Sequence, residues 1–207
     1  RSRDREWGGR RRTGRRTCRL FETCGTPENH PLPPDNCQED PQPVIAPRTA
    51  PTTMGLYLLS VVAARDFGWV GTSEAVDRLE ATLVTMNSLE RCHGHCYNWY
   101  DTRERRALEP KYVSSVDSGN LAGHLLAVRS ACREMLTGPP VAPNWLSGIS
   151  DALQLAHASV RLLADDRRSH TVRRKDLEAA RDNPSALLAN FRTGNGPHRL
   201  EELLMTG

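Results

Sequence analysis

The sequence predicts an all-α fold in which pairs of helices are joined by long polar loops. From residue 52 onward, apolar residues recur at the spacings of three and four that one face of a helix produces. Glycine or proline ends several of these periodic stretches. The longest apolar stretch, Met54–Ala64, has 11 residues, whereas a membrane span requires about 20. We therefore expect a helical chain with no membrane-spanning segment.

The N-terminal part of the chain lacks sustained helical periodicity. We expect residues 1–15 to be a disordered Arg-rich leader, and residues 16–51 to hold a short helix followed by a proline-rich loop. The short helix is predicted between Arg15 and Thr23. Eight of the 14 prolines lie between residues 27 and 51. Because proline fixes φ and lacks an amide N–H, this loop can be neither regular helix nor central strand.

Residues 52–207 are predicted to form the helical body of the protein. Its first two helices begin at Thr52 or Thr53 and at Thr72 or Ser73, and the Gly68–Gly71 turn makes them an αα-hairpin. A short strand is predicted at Tyr112–Val113. The remaining helices are predicted from Asn120 to residue 137, from Asn144 to Leu163, over residues 172–181 and from Asn183.

Charge is distributed unevenly along the chain. The formal net charge is +3, but residues 1–19 carry +7 and the remainder carries −4. Nucleic-acid binders carry a basic patch on the folded body, so we expect no specific nucleic-acid partner. The leader could still bind polyanions non-specifically through counterion release, and a solvated tail is the alternative.

The cysteines suggest neither a disulfide framework nor a metal centre. Six cysteines in 207 residues are too few for a disulfide scaffold, and no secretory signal accompanies them. We therefore expect reduced thiols in a soluble, cytoplasmic chain. The cluster Cys92–Cys96 contains zinc-ligand residue types, but neighbouring Cys and His point apart and no second pair follows. We expect no metal and no cofactor.

Two parts of the sequence have the composition of a carbohydrate site. One is residues 35–39, and the other combines residues 97–101 with residues 114–120. Aromatic rings can pack on the CH face of a pyranose, while Asp, Asn and Gln can satisfy its hydroxyls. The alternatives are core packing for the aromatic residues, helix capping for Asp117 and Ser118, and an ordinary loop surface for residues 35–39.

Long motifs in the chain resemble one protein family. They are LPPDNxQEDP at 32–41, RTxPTxxGLYLLS at 48–60, ARDFGW at 64–69, GHxYNWYDT at 94–102 and LxPKYVSSVDSGNLAGH at 108–124. In this order and spacing they resemble the cyclic β-1,2-glucan synthases, which are very large bacterial inner-membrane proteins. The resemblance runs from about residue 16 to about residue 182.

The resemblance implies both a fold and an activity. Family members extend a β-1,2-glucan from UDP-glucose, and a middle region with an (α/α)-barrel closes the ring by transglycosylation. The chain is similar to the front of that region, which implies a partial (α/α)-barrel made of αα-hairpins with long connecting loops. The catalytic carboxylates are expected downstream of Gly207, so no residue here is assigned as catalytic and the fragment is expected to be inactive alone.

The partners and site follow from the same resemblance. We expect a β-1,2-glucan chain and the rest of the parent synthase as partners, at the cytoplasmic face of the inner membrane. A non-catalytic helical carbohydrate-binding or scaffold module is the alternative. The expected substrate-binding residues are Asp35, Asn36, Gln38, Glu39, Arg48, Tyr97, Asn98, Trp99, Tyr100, Asp101, Asp117, Ser118 and Asn120.

Overall fold

A computed structural model describes residues 11, 14, 15, 18, 21, 30–38, 42, 44–139 and 144–162, with side chains as far as residue 156. The predicted helices at 172–181 and from Asn183, and the candidate residue Glu39, lie outside this part of the chain. Contacts divide the chain into two units, Arg1–Asn144 and Trp145–Gly207. The helices are α1 (Pro51–Asp66), α2 (Thr72–Ser88), α3 (Ser115–Thr137) and, in the second unit, α4 (Trp145–Leu162).

Short antiparallel strand pairs lie in the loops between these helices, where the sequence predicted no pairing. Strand β1 (Cys37–Gln38) pairs with β2 (Val44–Ile45), β3 (Arg48–Thr49) pairs with β6 (Tyr100–Asp101), and β4 (Arg91–Cys92) pairs with β5 (His95–Cys96). The predicted strand at Tyr112–Val113 is wrong, since both residues are irregular. The described residues are nevertheless mainly helical, as predicted.

Helix α1 is the central element of the first unit and packs against both α2 and α3. It begins at Pro51, which needs no amide partner in the first helical turn. Its end is marked by Gly68, whose φ of +77° suits glycine. Periodicity alone predicts Leu56, Leu59, Ala63 and Phe67 as the buried stripe, and this prediction is wrong, because Leu56 is 48% exposed and the other three are only half-buried. The buried side chains of the helix include Met54, Leu58, Val61 and Ala64.

Helix α3 begins five residues earlier than the sequence predicted. Ser114 is its N-cap, and the Ser114 Oγ accepts a hydrogen bond from the backbone N–H of Asp117 at 3.1 Å. Asn120, the predicted start, therefore lies in the second turn. Close packing of α3 on α1 depends on Gly55, since a Cβ built there would lie 2.3 Å from His124 Nδ1.

The structure describes three residues of the predicted Arg-rich leader and one cysteine of the proline-rich loop. Arg11, Gly14 and Arg15 have helical backbone, and Arg11 is buried, whereas the other residues of the leader lie outside the described part of the chain. Cys37 is disulfide-bonded, so the expectation of reduced thiols is wrong there. Cys18, Cys92, Cys96 and Cys132 are not disulfide-bonded, as expected. Among the described residues, no helix combines the length and hydropathy that a membrane span requires.

Candidate functional site

The N-terminal ends of α1 and α3 meet, and a hydrogen bond joins their first turns. Thr52 Oγ1 donates to Asp117 Oδ1 at 2.5 Å. Asn120 Nδ2 donates to the same Thr52 hydroxyl at 3.2 Å. A carboxylate in the first turn of α3 also interacts favourably with the positive end of the helix dipole. The two helix ends therefore form one polar surface.

Asn98 connects this surface to the loop that precedes α3. In the amide orientation that satisfies its neighbours, Asn98 Nδ2 donates to Asp117 Oδ2 at 3.0 Å. Asn98 Oδ1 then accepts from the Tyr112 hydroxyl at 2.7 Å and from Trp99 Nε1 at 2.5 Å. The Asn98 backbone N–H donates to the Tyr112 carbonyl at 2.9 Å. Asn98 is only 7% exposed, so these bonds supply partners that water cannot.

Trp99 connects Asn98 to Arg48 on β3, and Arg48 in turn contacts Asp35 in the proline-rich loop. The guanidinium carbon of Arg48 lies 4.6 Å from the centroid of the Trp99 ring, a cation–π contact. Arg48 Nη2 lies 3.8 Å from Asp35 Oδ2, and Asp35 Oδ1 accepts from Thr53 Oγ1 at 3.3 Å. The backbone N–H of Asp35 donates to the Arg48 carbonyl at 2.8 Å, which fixes the two residues side by side.

These contacts link nine residues into one continuous group, which we call the polar network. Six of its members are residues that the sequence predicted as substrate-binding, and three were missed. The sequence indicates Thr52 and Thr53 only as possible helix starts, and it predicts Tyr112 in a strand. The members are Asp35, Arg48, Thr52, Thr53, Asn98, Trp99, Tyr112, Asp117 and Asn120.

The structure places Tyr100 in the hydrophobic core, away from solvent. Its side chain is 0% exposed, and its hydroxyl donates to the Glu90 carbonyl and accepts from the Tyr97 backbone N–H, both at 2.7 Å. Burial is the main cause that raises the pKa of this phenol far above its usual value. A neutral hydroxyl with both partners inside the protein suits a core position.

Asp101 and Tyr97 lie outside the polar network. Asp101 Oδ1 accepts from the backbone N–H groups of Arg103 and Glu104, each at 2.8 Å, so this carboxylate orders a turn. The ring of Tyr97 faces Lys111, whose Nζ lies 5.6 Å from the ring centroid. A hydrogen bond to Glu90 is the main cause that raises the pKa of Lys111.

Three other predicted substrate-binding residues, Asn36, Gln38 and Ser118, lie outside the polar network. Asn36 is exposed, and its carbonyl accepts from the Ala46 backbone N–H at 3.0 Å. Gln38 is exposed on β1. The Ser118 hydroxyl is buried and has no hydrogen-bond partner among the described residues. Within the same residues, no group of three or more His, Cys, Asp or Glu side chains is placed to hold a metal ion.

The chain is similar in sequence to a known protein. No protein-family model matches it. Over 160 residues, or 77% of its length, the chain is 51% identical to the cyclic beta-(1,2)-glucan synthase NdvB of Rhizobium meliloti (strain 1021). The matched segment is only 6% of that protein, so the chain spans a small part of its relative. The resemblance indicated by the motifs is thus confirmed, and the chain is homologous to a segment of a cyclic β-1,2-glucan synthase.

Proposed function

We propose that this chain handles the glucan within a cyclic β-1,2-glucan synthase, and that β-1,2-glucan contacts the polar network. The observation that carries the proposal is the convergence of Asp35, Arg48 and Trp99 with the joined first turns of α1 and α3. Homology to NdvB supports the glucan as the ligand class. The activity, substrates and partners of the whole synthase are part of the same proposal.

The network has an exposed side that suits a neutral, hydroxyl-rich ligand. The side chains of Arg48 and Asp35 are 50% and 26% exposed, and Asn120 is also exposed. A glucose hydroxyl can donate to the Asp35 carboxylate and accept from the Arg48 guanidinium, while the partly exposed indole of Trp99 offers an apolar face. These groups combine the apolar surface and directed polar groups of a carbohydrate site.

The buried side of the network holds the exposed side in position. Asn98 fixes the indole of Trp99 through Nε1, and Thr53 holds the carboxylate of Asp35. Side chains that are already ordered lose less entropy when a ligand binds. Asp117 and Thr52 are therefore proposed as positioning residues, and Arg48, Trp99 and Asp35 as contacts to the sugar.

The (α/α)-barrel architecture is part of the same proposal. The αα-hairpin of α1 and α2, with α3 packed on α1, is compatible with the front of an (α/α)-barrel. We propose that the other helices of the barrel, and the carboxylates that close the glucan ring, are supplied by the rest of the synthase. Retaining transglycosylation requires two carboxyl groups about 5–5.5 Å apart.

Linear β-1,2-glucan oligosaccharides are expected to bind the purified chain saturably, with a Kd of about 1 mM or lower. Trp99→Leu should weaken binding by about tenfold, because an aromatic face supplies much of the contact in such sites. Isothermal titration calorimetry measures the Kd of the wild-type chain and that of the Trp99→Leu variant. Trp69→Leu, just beyond the C-terminal end of α1 and therefore away from Thr52 and Thr53, is the matched control and should leave the Kd unchanged. Equal binding of β-1,4-linked oligosaccharides, or no effect of Trp99→Leu, would contradict the proposal.

The purified chain is also expected to make no cyclic glucan by itself. Asp35 and Asp117 are engaged by protein groups, and neither is assigned as nucleophile or acid. Transglycosylation would break an internal bond of a linear β-1,2-glucan, release the reducing-end saccharide and close the ring. After incubation, mass spectrometry would detect a ring as a species one water mass lighter than the linear glucan with the same number of glucose units. Cyclic product from the purified chain, absent from a mock preparation, would show that catalytic groups lie within it.

A further inference from the structure

Phe67 and Trp69 form an aromatic pair at the C-terminal end of α1. Their rings stack with centroids 4.7 Å apart and an interplanar angle of 27°. Arg11 lies over both rings, with its guanidinium carbon 5.0 Å from the Phe67 centroid and 5.9 Å from that of Trp69. Arg11 Nη2 donates to the Phe67 carbonyl at 2.7 Å. Although arginine is rarely buried, Arg11 is only 8% exposed.

The C-terminal end of α1 has three features that favour binding of a guanidinium group. The two π faces attract a cation, and the Phe67 carbonyl is a hydrogen-bond acceptor. The C-terminal end of a helix also carries a partial negative charge, which favours a nearby cation. We call the rings of Phe67 and Trp69, together with the Phe67 carbonyl, the guanidinium site.

Arg15, four residues after Arg11, reaches the same site. The guanidinium carbon of Arg15 lies 5.9 Å from the centroid of the Trp69 ring. Gly14 lies so close that a Cβ built on it would be 3.1 Å from Trp69 Cη2. A larger side chain at position 14 would therefore push the segment away from the ring. The fit involves shape as well as charge.

We propose that the guanidinium site is an intramolecular docking surface for the Arg-rich segment, with Arg11 as its occupant. Docking withholds the guanidinium groups of Arg11 and Arg15 from polyanions. Arg11 and Arg15 then belong to the folded unit, and two arginines of residues 1–19, a range with a net charge of +7, are unavailable for counterion release. This proposal is independent of glucan binding.

Gly14→Leu tests the proposal because it displaces the segment without changing its charge. Trypsin needs access to an arginine side chain, so docking should protect the peptide bonds after Arg11 and Arg15. In Gly14→Leu, cleavage there should become about tenfold faster, since proteolysis follows the population of the open form. Gly123→Leu is the matched control, because a Cβ at that position meets nothing within 4 Å. Mass spectrometry identifies the sites.

Cleavage after Arg65, which is buried in α1, reports global unfolding in the same digest and should not change. Phe67→Leu, which reduces the aromatic face without adding bulk, should also accelerate cleavage after Arg11. Equal rates after Arg11 in wild type, Gly14→Leu and Phe67→Leu would overturn the proposal.

A second readout measures the released charge directly. The affinity for a single-stranded oligonucleotide falls with salt with a slope of about 0.7 for each phosphate neutralised. Release of Arg11 and Arg15 in Gly14→Leu should steepen the slope of log Kobs against log salt concentration by about 1.4 relative to wild type. Identical slopes for wild type and Gly14→Leu would show that the arginines were never withheld.

Discussion

Replacing Gly55 with leucine is expected to lower the free energy of unfolding by about 3 kcal/mol and to abolish glucan binding. A Cβ at position 55 would lie 2.3 Å from His124 Nδ1 and 2.9 Å from His124 Cβ. Because His124 Cβ is fixed to the α3 backbone, the clash can be relieved only if the two helices separate. Separation would also break the bond between Thr52 and Asp117, on which the polar network depends.

Urea denaturation followed by circular dichroism measures the loss as a lower midpoint at constant slope. Gly123→Leu on α3 provides the control, since a Cβ at position 123 meets nothing within 4 Å. It should not lower the urea midpoint, because leucine also has a higher helix propensity than glycine. A Gly55→Leu protein as stable as Gly123→Leu would show that α1 and α3 do not pack as described.

Asp117→Asn is expected to weaken glucan binding by about tenfold and to cost about 1–3 kcal/mol of stability. Asp117 accepts hydrogen bonds from Thr52 Oγ1 and from Asn98 Nδ2 through its two carboxylate oxygens. An asparagine keeps one oxygen but places an amide donor against the second partner. Since Asn98 is buried, it cannot replace the lost bond with water, and its hold on the Trp99 indole is disturbed.

Calorimetric titration and urea denaturation of this variant measure the two effects separately. Asp77→Asn removes the same charge from an exposed position on α2 and should change neither quantity. If Asp117→Asn lost stability but bound glucan with the wild-type Kd, Asp117 would be a structural residue and the polar network would not be the glucan site.

The existence of helices α1 to α4 was predictable from the sequence, but the start of α3 was not. Apolar periodicity begins at Leu121, and the six preceding helical residues are mostly polar. They are polar because this end of the helix faces the network: Asp117 and Asn120 both contact Thr52. Ser114 and Asn120 are equally good N-cap residue types, so composition alone could not choose between them.

Apolar periodicity also could not identify which face of α1 is buried. Apolar residues lie on nearly every side of this helix, so more than one stripe fits the spacing. The structure buries Met54 and Leu58 and leaves Leu56 exposed. Contacts with α2 and α3 decide which face is buried, and the apolar spacing within α1 carries no information about those contacts.

The aromatic run at 97–101 shows why only part of the site was predictable. In extended backbone, successive side chains point to opposite sides. Asn98 and Tyr100 are buried, whereas Tyr97 and Trp99 are partly exposed. The sequence placed all four in one sugar site. The structure joins Asn98 and Trp99 in the polar network through a side-chain hydrogen bond. Tyr100, which pairs with Thr49 where β3 meets β6, lies in the core.

The central claim, that β-1,2-glucan binds at the polar network, is tested most directly by indole N–H resonances during titration with linear β-1,2-glucan oligosaccharides. The chain has four tryptophans, and Trp99→Phe identifies the signal of Trp99. The Trp99 signal is predicted to shift saturably, because its indole is both a proposed contact and a hydrogen-bond donor to Asn98. The Trp69 signal should not move. A saturable shift confined to Trp69, or no shift at Trp99 at saturating glucan, would contradict the account.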